Sequence, residues 1–232
     1  MINDLKLGFK IMKYGHSAKL SIIGGIVMTV IGIGISATNL TGSFNLPGGY
    51  FLTLAALLLL QLISTVNAAN LVQASPAKKK LQTSVPALIS IMMMSAAYLL
   101  DVIVFAVILR IHPEAENYCC SQILYSVCFM GVVMLYYGTV YKYFVASTIM
   151  FALLFLGVYS SYSFMTGFYF VISGGSVNLF QFTGFWGNFW LTAVIGLAVI
   201  LVCGVLQYLL SLAVYKAPIS KLALGARLRN QM

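Results

Sequence analysis

Residues 85–111 have the sequence VPALISIMMMSAAYLLDVIVFAVILRI, in which Asp101 and Arg110 are the only charged side chains. About twenty apolar residues in a helix cross the hydrocarbon core of a bilayer, so this segment is long enough to span a membrane. It lacks the alternation over about ten residues that is typical of membrane β-strands. The segment therefore predicts a transmembrane helix.

Further apolar segments lie on both sides of it, separated by short polar turns or by turns rich in Gly and Pro. They cover residues 20–40, 49–73, 122–141, 144–172 and 189–215. Lipid offers no partner to backbone amides, so only helices or closed barrels satisfy them within a bilayer. We therefore predict an all-α, polytopic membrane protein with six transmembrane helices, in which residues 1–232 form a single domain.

The composition excludes a water-soluble fold. The chain is 61% hydrophobic and 7% charged, whereas soluble domains carry about 25% charged residues. Its net charge of +9 does not indicate nucleic acid as a partner, because basic residues of membrane proteins usually report orientation. The expected surroundings are membrane lipids.

The basic residues predict the orientation. Those that fall on one side of a six-helix order are Lys6, Lys10, Lys13, Lys19, Lys78, Lys79, Lys80, Lys142, Lys216, Lys221, Arg227 and Arg229, which leaves Arg110 on the other side. Since cytoplasmic loops carry the excess of Lys and Arg, we expect both termini in the cytoplasm, with residues 216–232 as a cytoplasmic tail. The expected location is a plasma membrane, in a bacterium.

Residues 1–18 precede the first segment. On a helical wheel Ile2, Leu5, Phe9 and Met12 share one face, with lysines beside it. This pattern predicts an amphipathic helix that lies in the membrane interface. The alternative is a flexible basic tail.

Catalytic motifs are missing from the sequence. It contains no P-loop and no H-E-x-x-H, and His16 and His112 lie outside the apolar segments. Its four cysteines form no C-x-x-C pair. We therefore predict no catalytic residue, no metal site and no cofactor, and the chain is not expected to be an enzyme.

Asp101 is the one ionisable residue well inside a segment. A charge at that depth costs at least about 2.5–3.5 kcal/mol, so Asp101 should face the bundle interior or water. Candidates for a substrate pathway are Gln61, Tyr98, Asp101, Tyr159 and Tyr162. The alternative is that these side chains only form hydrogen bonds and packing contacts, and the sequence leaves both interpretations open.

The turn between the second and third segments has the sequence ASPAKKKLQTSVP, residues 74–86. Ser75 suits a helix N-cap and Pro76 suits a first helical position. The turn therefore predicts a short helix that could fill a groove on a partner. A plain cytoplasmic loop, with its three lysines on the expected side, is the alternative.

This layout resembles the membrane subunits of ABC type-2 exporter permeases. Ser75–Leu81, closed by Pro86, is similar to their coupling-loop pattern Ser-Pro-x-x-[Arg/Lys]-[Arg/Lys]. The resemblance implies a coupling helix that docks on a separate ATP-binding ABC subunit. Its coupling residues would be Ser75, Pro76, Lys78, Lys79, Lys80, Leu81 and Gln82.

The resemblance also implies the rest of the assembly. A second six-span permease chain, identical or related, would form the other half of the pathway. ATP hydrolysis on the partner would drive the export of a peptide, an antibiotic or another amphipathic molecule. Two other hypotheses remain: a substrate-binding subunit of a vitamin-type importer, and a membrane immunity or scaffold protein that does not transport.

Overall fold

The computed structural model describes residues 6–10, 18–38, 47–67, 76–140, 142–172 and 188–216, and for residues 64–67 and 162–172 it describes the backbone alone. Within these ranges the regular structure is helical, with no strand, so the predicted all-α class is confirmed. The helices are α1 (Ala18–Thr38), α2 (Gly48–Asn67), α3 (Lys78–Gln82), α4 (Ser84–Ile111), α5 (Glu116–Thr139), α6 (Phe144–Ile172) and α7 (Phe189–Val214), with a 3₁₀ turn at Pro113–Ala115.

Five of these helices, α1, α4, α5, α6 and α7, are long and apolar enough to cross a membrane, as in a multi-pass membrane protein. The apolar part of α2, Gly48–Ile63, is shorter. The predicted ends at 20, 49, 85, 111, 144, 189 and 215 lie within two residues of a helix end, but α5 begins six residues before the predicted start at 122. The predicted ends at 40, 73 and 141 lie outside the described residues, and 172 is the last described residue of α6. The reason is burial: Cys119, Cys120 and Ser121 pack into the bundle, so this polar stretch continues the helix.

The helices alternate in direction. Ser36 at the end of α1 lies beside Gly48 at the start of α2, and Asp101 of α4 contacts Ser126 of α5. Helix α4 packs against α2, α5 and α7, while α1 packs mainly on α2 and α6 mainly on α5. The bundle thus has a central group, α2, α4, α5 and α7, flanked by two outer helices.

Charged residues gather at the two ends of the bundle. At one end, here named the lysine end, lie Lys78, Lys142 and Lys216. At the other, the arginine end, Arg110 lies near the turn that carries Glu114. At the arginine end the start of α7 is capped by two side chains. Asn188 accepts hydrogen bonds from the amides of Trp190 and Leu191, and Glu116 accepts one from the amide of Phe189 at 3.0 Å.

The predicted interfacial helix falls largely outside the described residues. Residues 6–10 are helical. The backbone of Gly8 lies against Val85 and Ile89, and Leu7 packs against the core. Phe9, on the predicted apolar face, is exposed. This stretch therefore contacts the first turns of α4, and its position in a membrane interface stays a prediction.

Helices α5 and α7 run parallel and approach closely at Gly138. A Cβ added there would lie 3.1 Å from the backbone oxygen of Gln207 and 3.2 Å from the Cβ of Leu210. Ser211 donates a hydrogen bond to the carbonyl of Gly138 at 3.2 Å. Small residues allow such contact between helix backbones in a membrane.

Gly138→Ala should therefore destabilise the bundle by about 1–3 kcal/mol, because a backbone atom and a Cβ cannot move aside as a flexible side-chain end can. Thermal unfolding in detergent would measure the effect. The control is Gly157→Ala on α6, where a Cβ meets nothing within 4 Å and better helix propensity should leave stability unchanged or raise it by up to about 1 kcal/mol. Equal effects of the two changes would contradict the close α5–α7 contact.

Candidate functional site: the coupling segment and the Asp101 centre

The predicted coupling residues lie at the lysine end, in and around α3. Pro76, Lys79 and Lys80 are exposed and Lys78 is half-buried. Leu81 and Gln82 are buried, and Leu81 belongs to the hydrophobic core together with Val85 and Ile89. Ser75 lies outside the described residues. We name residues 76–83 the coupling segment. Its exposed lysines face outward, and its buried last residues anchor it to the bundle.

The short helix is joined to α4 by hydrogen bonds that cross Thr83. The amide and the hydroxyl of Thr83 both donate to the carbonyl of Lys79, at 3.1 and 2.7 Å. On the other side, the amide of Ala87 donates to the carbonyl of Thr83 at 3.4 Å. Thr83 itself departs from helical geometry, with φ −121° and ψ −74°, so the two helices bend there without losing their connection.

Lys142, in the turn between α5 and α6, lies beside the coupling segment. Its ammonium group is 5.5 Å from the centre of the Tyr215 ring, a cation–π contact with the end of α7. Burial lowers the pKa of Lys142, and the charge of Lys78 lowers it further. The lysine end thus brings together the coupling segment, the turn between α5 and α6, and the end of α7, which are far apart in sequence.

A second cluster, here named the Asp101 centre, consists of Asp101 and Tyr98 on one face of α4 and of the residues that contact them. It lies deep in the bundle. Asp101 is 0% exposed, and the Ser126 hydroxyl of α5 lies 2.6 Å from its Oδ2. The Tyr98 hydroxyl donates to the carbonyl of Ala193 on α7 at 2.8 Å. Gly49, in the first turn of α2, fits against Ser126 and Asp101 so closely that a Cβ there would be 2.9 Å from Oδ2. Helices α2 and α5 therefore meet α4 at the carboxyl group of Asp101, and α7 meets α4 at the neighbouring Tyr98.

The structure brings together only part of the predicted substrate pathway. Tyr98 and Asp101 are neighbours, but both are enclosed, so neither is accessible to a substrate in this packing. Gln61 is exposed; twelve residues of helix place it about 18 Å along α2 from Gly49, too far to face Asp101. Gln61 therefore does not lie beside Asp101, and its place in a substrate pathway stays a prediction.

The two tyrosines of α6 also lie apart from this centre. Tyr159 is half-buried on α6, which packs mainly on α5. The side chain of Tyr162 lies outside the described part of the structure. A role of these tyrosines in a cavity stays a prediction.

Sequence reasoning missed two partners of Asp101. Ser126 is one of many serines in apolar segments, and nothing in the spacing singles it out. Gly49 begins the predicted segment 49–73 and lies in the first turn of α2, but its position after Pro47 and Gly48 indicates only that a turn is near and not a contact with Asp101. Both are small residues that allow α2 and α5 to approach Asp101 closely, and one sequence alone does not show which helices approach each other.

Comparisons with protein-family models, with curated proteins and with solved structures each found no match to this chain. The functional assignment therefore depends on the chemistry and the contacts of these residues.

Proposed function

We propose that the chain is the transmembrane permease subunit of an ATP-driven ABC exporter, coupled to a separate ATPase subunit through residues 75–84. In this proposal α1, α2, α4, α5, α6 and α7 are six membrane crossings, with residues 1–18 in the cytoplasmic interface. The observation that carries the proposal is the coupling segment: exposed lysines on a short helix whose other side is buried and hydrogen-bonded to α4.

The charges support the orientation. Lys78, Lys79, Lys80, Lys142 and Lys216 share the lysine end, and Arg110 stands at the opposite end with Glu114 and Glu116. An excess of Lys and Arg marks the cytoplasmic side of a membrane protein. The lysine end therefore faces the cytoplasm, where a soluble ATPase can reach the coupling segment.

The coupling segment has the properties of a docking element. Lys79 and Lys80 carry positive charge into solvent, so a partner groove with acidic residues would complement them. Helix α3 has five residues, too few to be stable alone. Burial of Leu81 and the bonds across Thr83 hold it folded before the partner arrives, which lowers the entropy cost of docking.

The same contacts suit the transmission of force. Movement of α3 would act through Thr83 on α4, which is the helix that contacts α2, α5 and α7. Tyr98 and Asp101 tie α4 to those helices about midway along its length. Closure of the ATPase subunits on ATP would thus displace α4 together with the helices bonded to it.

The transport pathway lies between this chain and a second permease chain, identical or related. Within the described residues the bundle interior is filled by side chains at the Asp101 centre, so an amphipathic peptide or antibiotic has no route past Asp101. Helices α1 and α6 expose large apolar faces and are available to lipid, to the second chain and to the substrate. Tyr159 and Tyr162 are the predicted pathway residues that lie on such a helix.

Changing both Lys79 and Lys80 to Glu should abolish co-purification of the ATPase subunit and any transport that depends on it, because two positive charges at the proposed contact become negative. Affinity purification from native membranes, followed by identification of bound proteins, measures this directly. Lys216→Glu is the matched control, since it reverses an exposed charge at the same end but outside the coupling segment, and it should leave association intact.

The result also separates the other hypotheses. A scaffold or immunity protein should keep its activity in the double variant, and that outcome would contradict the proposal. In a vitamin-type importer the ATPases contact a separate scaffold subunit. Recovery of one permease chain with such a scaffold would contradict the exporter.

Inserting three glycines after Thr83 should separate docking from coupling. The exposed lysines of α3 would still bind the ATPase, but flexible glycines would no longer pass its movement to α4. The expected result is that the ATPase co-purifies while nucleotide-driven transport in proteoliposomes is lost. Transport at the wild-type rate would show that the connection across Thr83 carries no force. The same insertion after His112 at the arginine end is the control and should keep docking and most of the transport.

A further inference from the structure

Asp101 is a buried acid whose charge is not balanced by any basic side chain in the part of the chain that the structure describes. Among the described residues no basic side chain forms an ion pair with it, and its Oδ1 atom is buried without a hydrogen-bond partner. An isolated carboxylate in an apolar interior costs several kcal/mol or more, so such groups are normally paired or neutral. The structure therefore calls for a proton or a cation at this carboxyl group.

The titratable neighbours of Asp101 do not supply that charge. Tyr98 on α4 and Cys119 on α5 are close enough to interact with it electrostatically, but each of them becomes negative when it ionises. On α2, Tyr50 turns its ring toward Phe129 and Phe155. Helix α7 contributes the apolar Ala193 and its backbone carbonyl, which already accepts from Tyr98.

The hydrogen bonds of Ser126 indicate that Asp101 carries a proton. Its Oγ lies 2.6 Å from Oδ2 of Asp101 and 2.9 Å from the carbonyl oxygen of Gln122. A hydroxyl group has one hydrogen, so it can donate fully to one of these two oxygens. If it donates to Gln122, the hydrogen between Ser126 and Asp101 must come from the acid. A protonated Asp101 thus satisfies both short contacts without a buried charge.

We propose that Asp101 is a proton-binding site, in which a neutral carboxyl group donates from Oδ2 to Ser126 and Ser126 donates to the carbonyl of Gln122. The bound ligand is a single proton. Gly49 closes the site from α2, since no larger residue fits between α2 and the pair. The start of α2, the middle of α4 and α5 are therefore held together around a protonated acid.

Release of this proton requires that the bundle open. The proton must pass to a water molecule, which leaves a carboxylate on Asp101 and forms hydronium. Water reaches the proton on Oδ2 only if the helices packed around Asp101 separate, because the carboxyl group is 0% exposed. The proton is thus bound in the closed packing and lost in an opened one, whether or not the chain works with an ATPase.

Infrared spectroscopy of the labelled wild-type protein tests this proposal, and variants assign the band. The chain has two aspartates, Asp4 and Asp101, so ¹³C-labelled aspartate marks only these two side chains. In the full-length protein in lipid vesicles near neutral pH, we expect a labelled C=O stretching band of a protonated carboxyl group, with a small downward shift in D₂O. The band should be unchanged in Asp4→Asn and absent in Asp101→Asn.

Ser126→Ala provides a second variant. It removes the acceptor of the acid hydrogen, so the band should remain but move to higher frequency. Absence of a protonated-acid band in the labelled wild-type protein would overturn the proposal, and so would a band that disappears in Asp4→Asn. A band at an unchanged position in Ser126→Ala would refute the assigned hydrogen bond.

Discussion

The hydrogen bonds across Thr83 connect the charged surface of this protein to its interior. On one side stand lysines that need water or an acidic partner, and on the other begins α4, which is surrounded by three helices. A short helix on a flexible loop could bind a partner but would transmit little. Because Leu81 is buried and Thr83 bonds in both directions, whatever holds the coupling segment also holds α4. The proposed coupling to an ATPase depends on this connection.

A second constraint acts halfway along α4. A chain with 7% charged residues has few polar groups with which to fix the packing of apolar helices, and lipid gives no hydrophobic reason for one apolar surface to prefer another. The Asp101 centre provides that specificity through contacts to α2, α5 and α7. Glycines at 49 and 196 let helix backbones approach these contacts. A neutral acid suits this role better than a charged one, since it bonds without a counter-ion.

The two features together explain which parts of the structure were predictable. Helix α6 was predicted with its start at 144 correct, because a long apolar run leaves little choice in lipid. The burial of Asp101 was predictable from the free-energy cost of exposing a charge to lipid. Its partners did not follow: Ser126 resembles many other serines, and nothing in the sequence distinguishes Gly49, at the start of a predicted helix, from the other glycines. The separation of Gln61 from Asp101 did not follow either, because helix faces can be read from one sequence but the depth at which each residue of α2 and α4 lies cannot.

The most direct test of the proposed function is to measure on which side of the membrane the coupling segment lies. In a chain whose four cysteines have been replaced, Lys79→Cys and Glu114→Cys would each carry one thiol, at opposite ends of the bundle. A membrane-impermeant maleimide added to intact cells should label the thiol at position 114, and should label position 79 only after the membrane is permeabilised. Labelling of position 79 from outside intact cells would contradict the account, because no cytoplasmic ATPase could then reach the coupling segment.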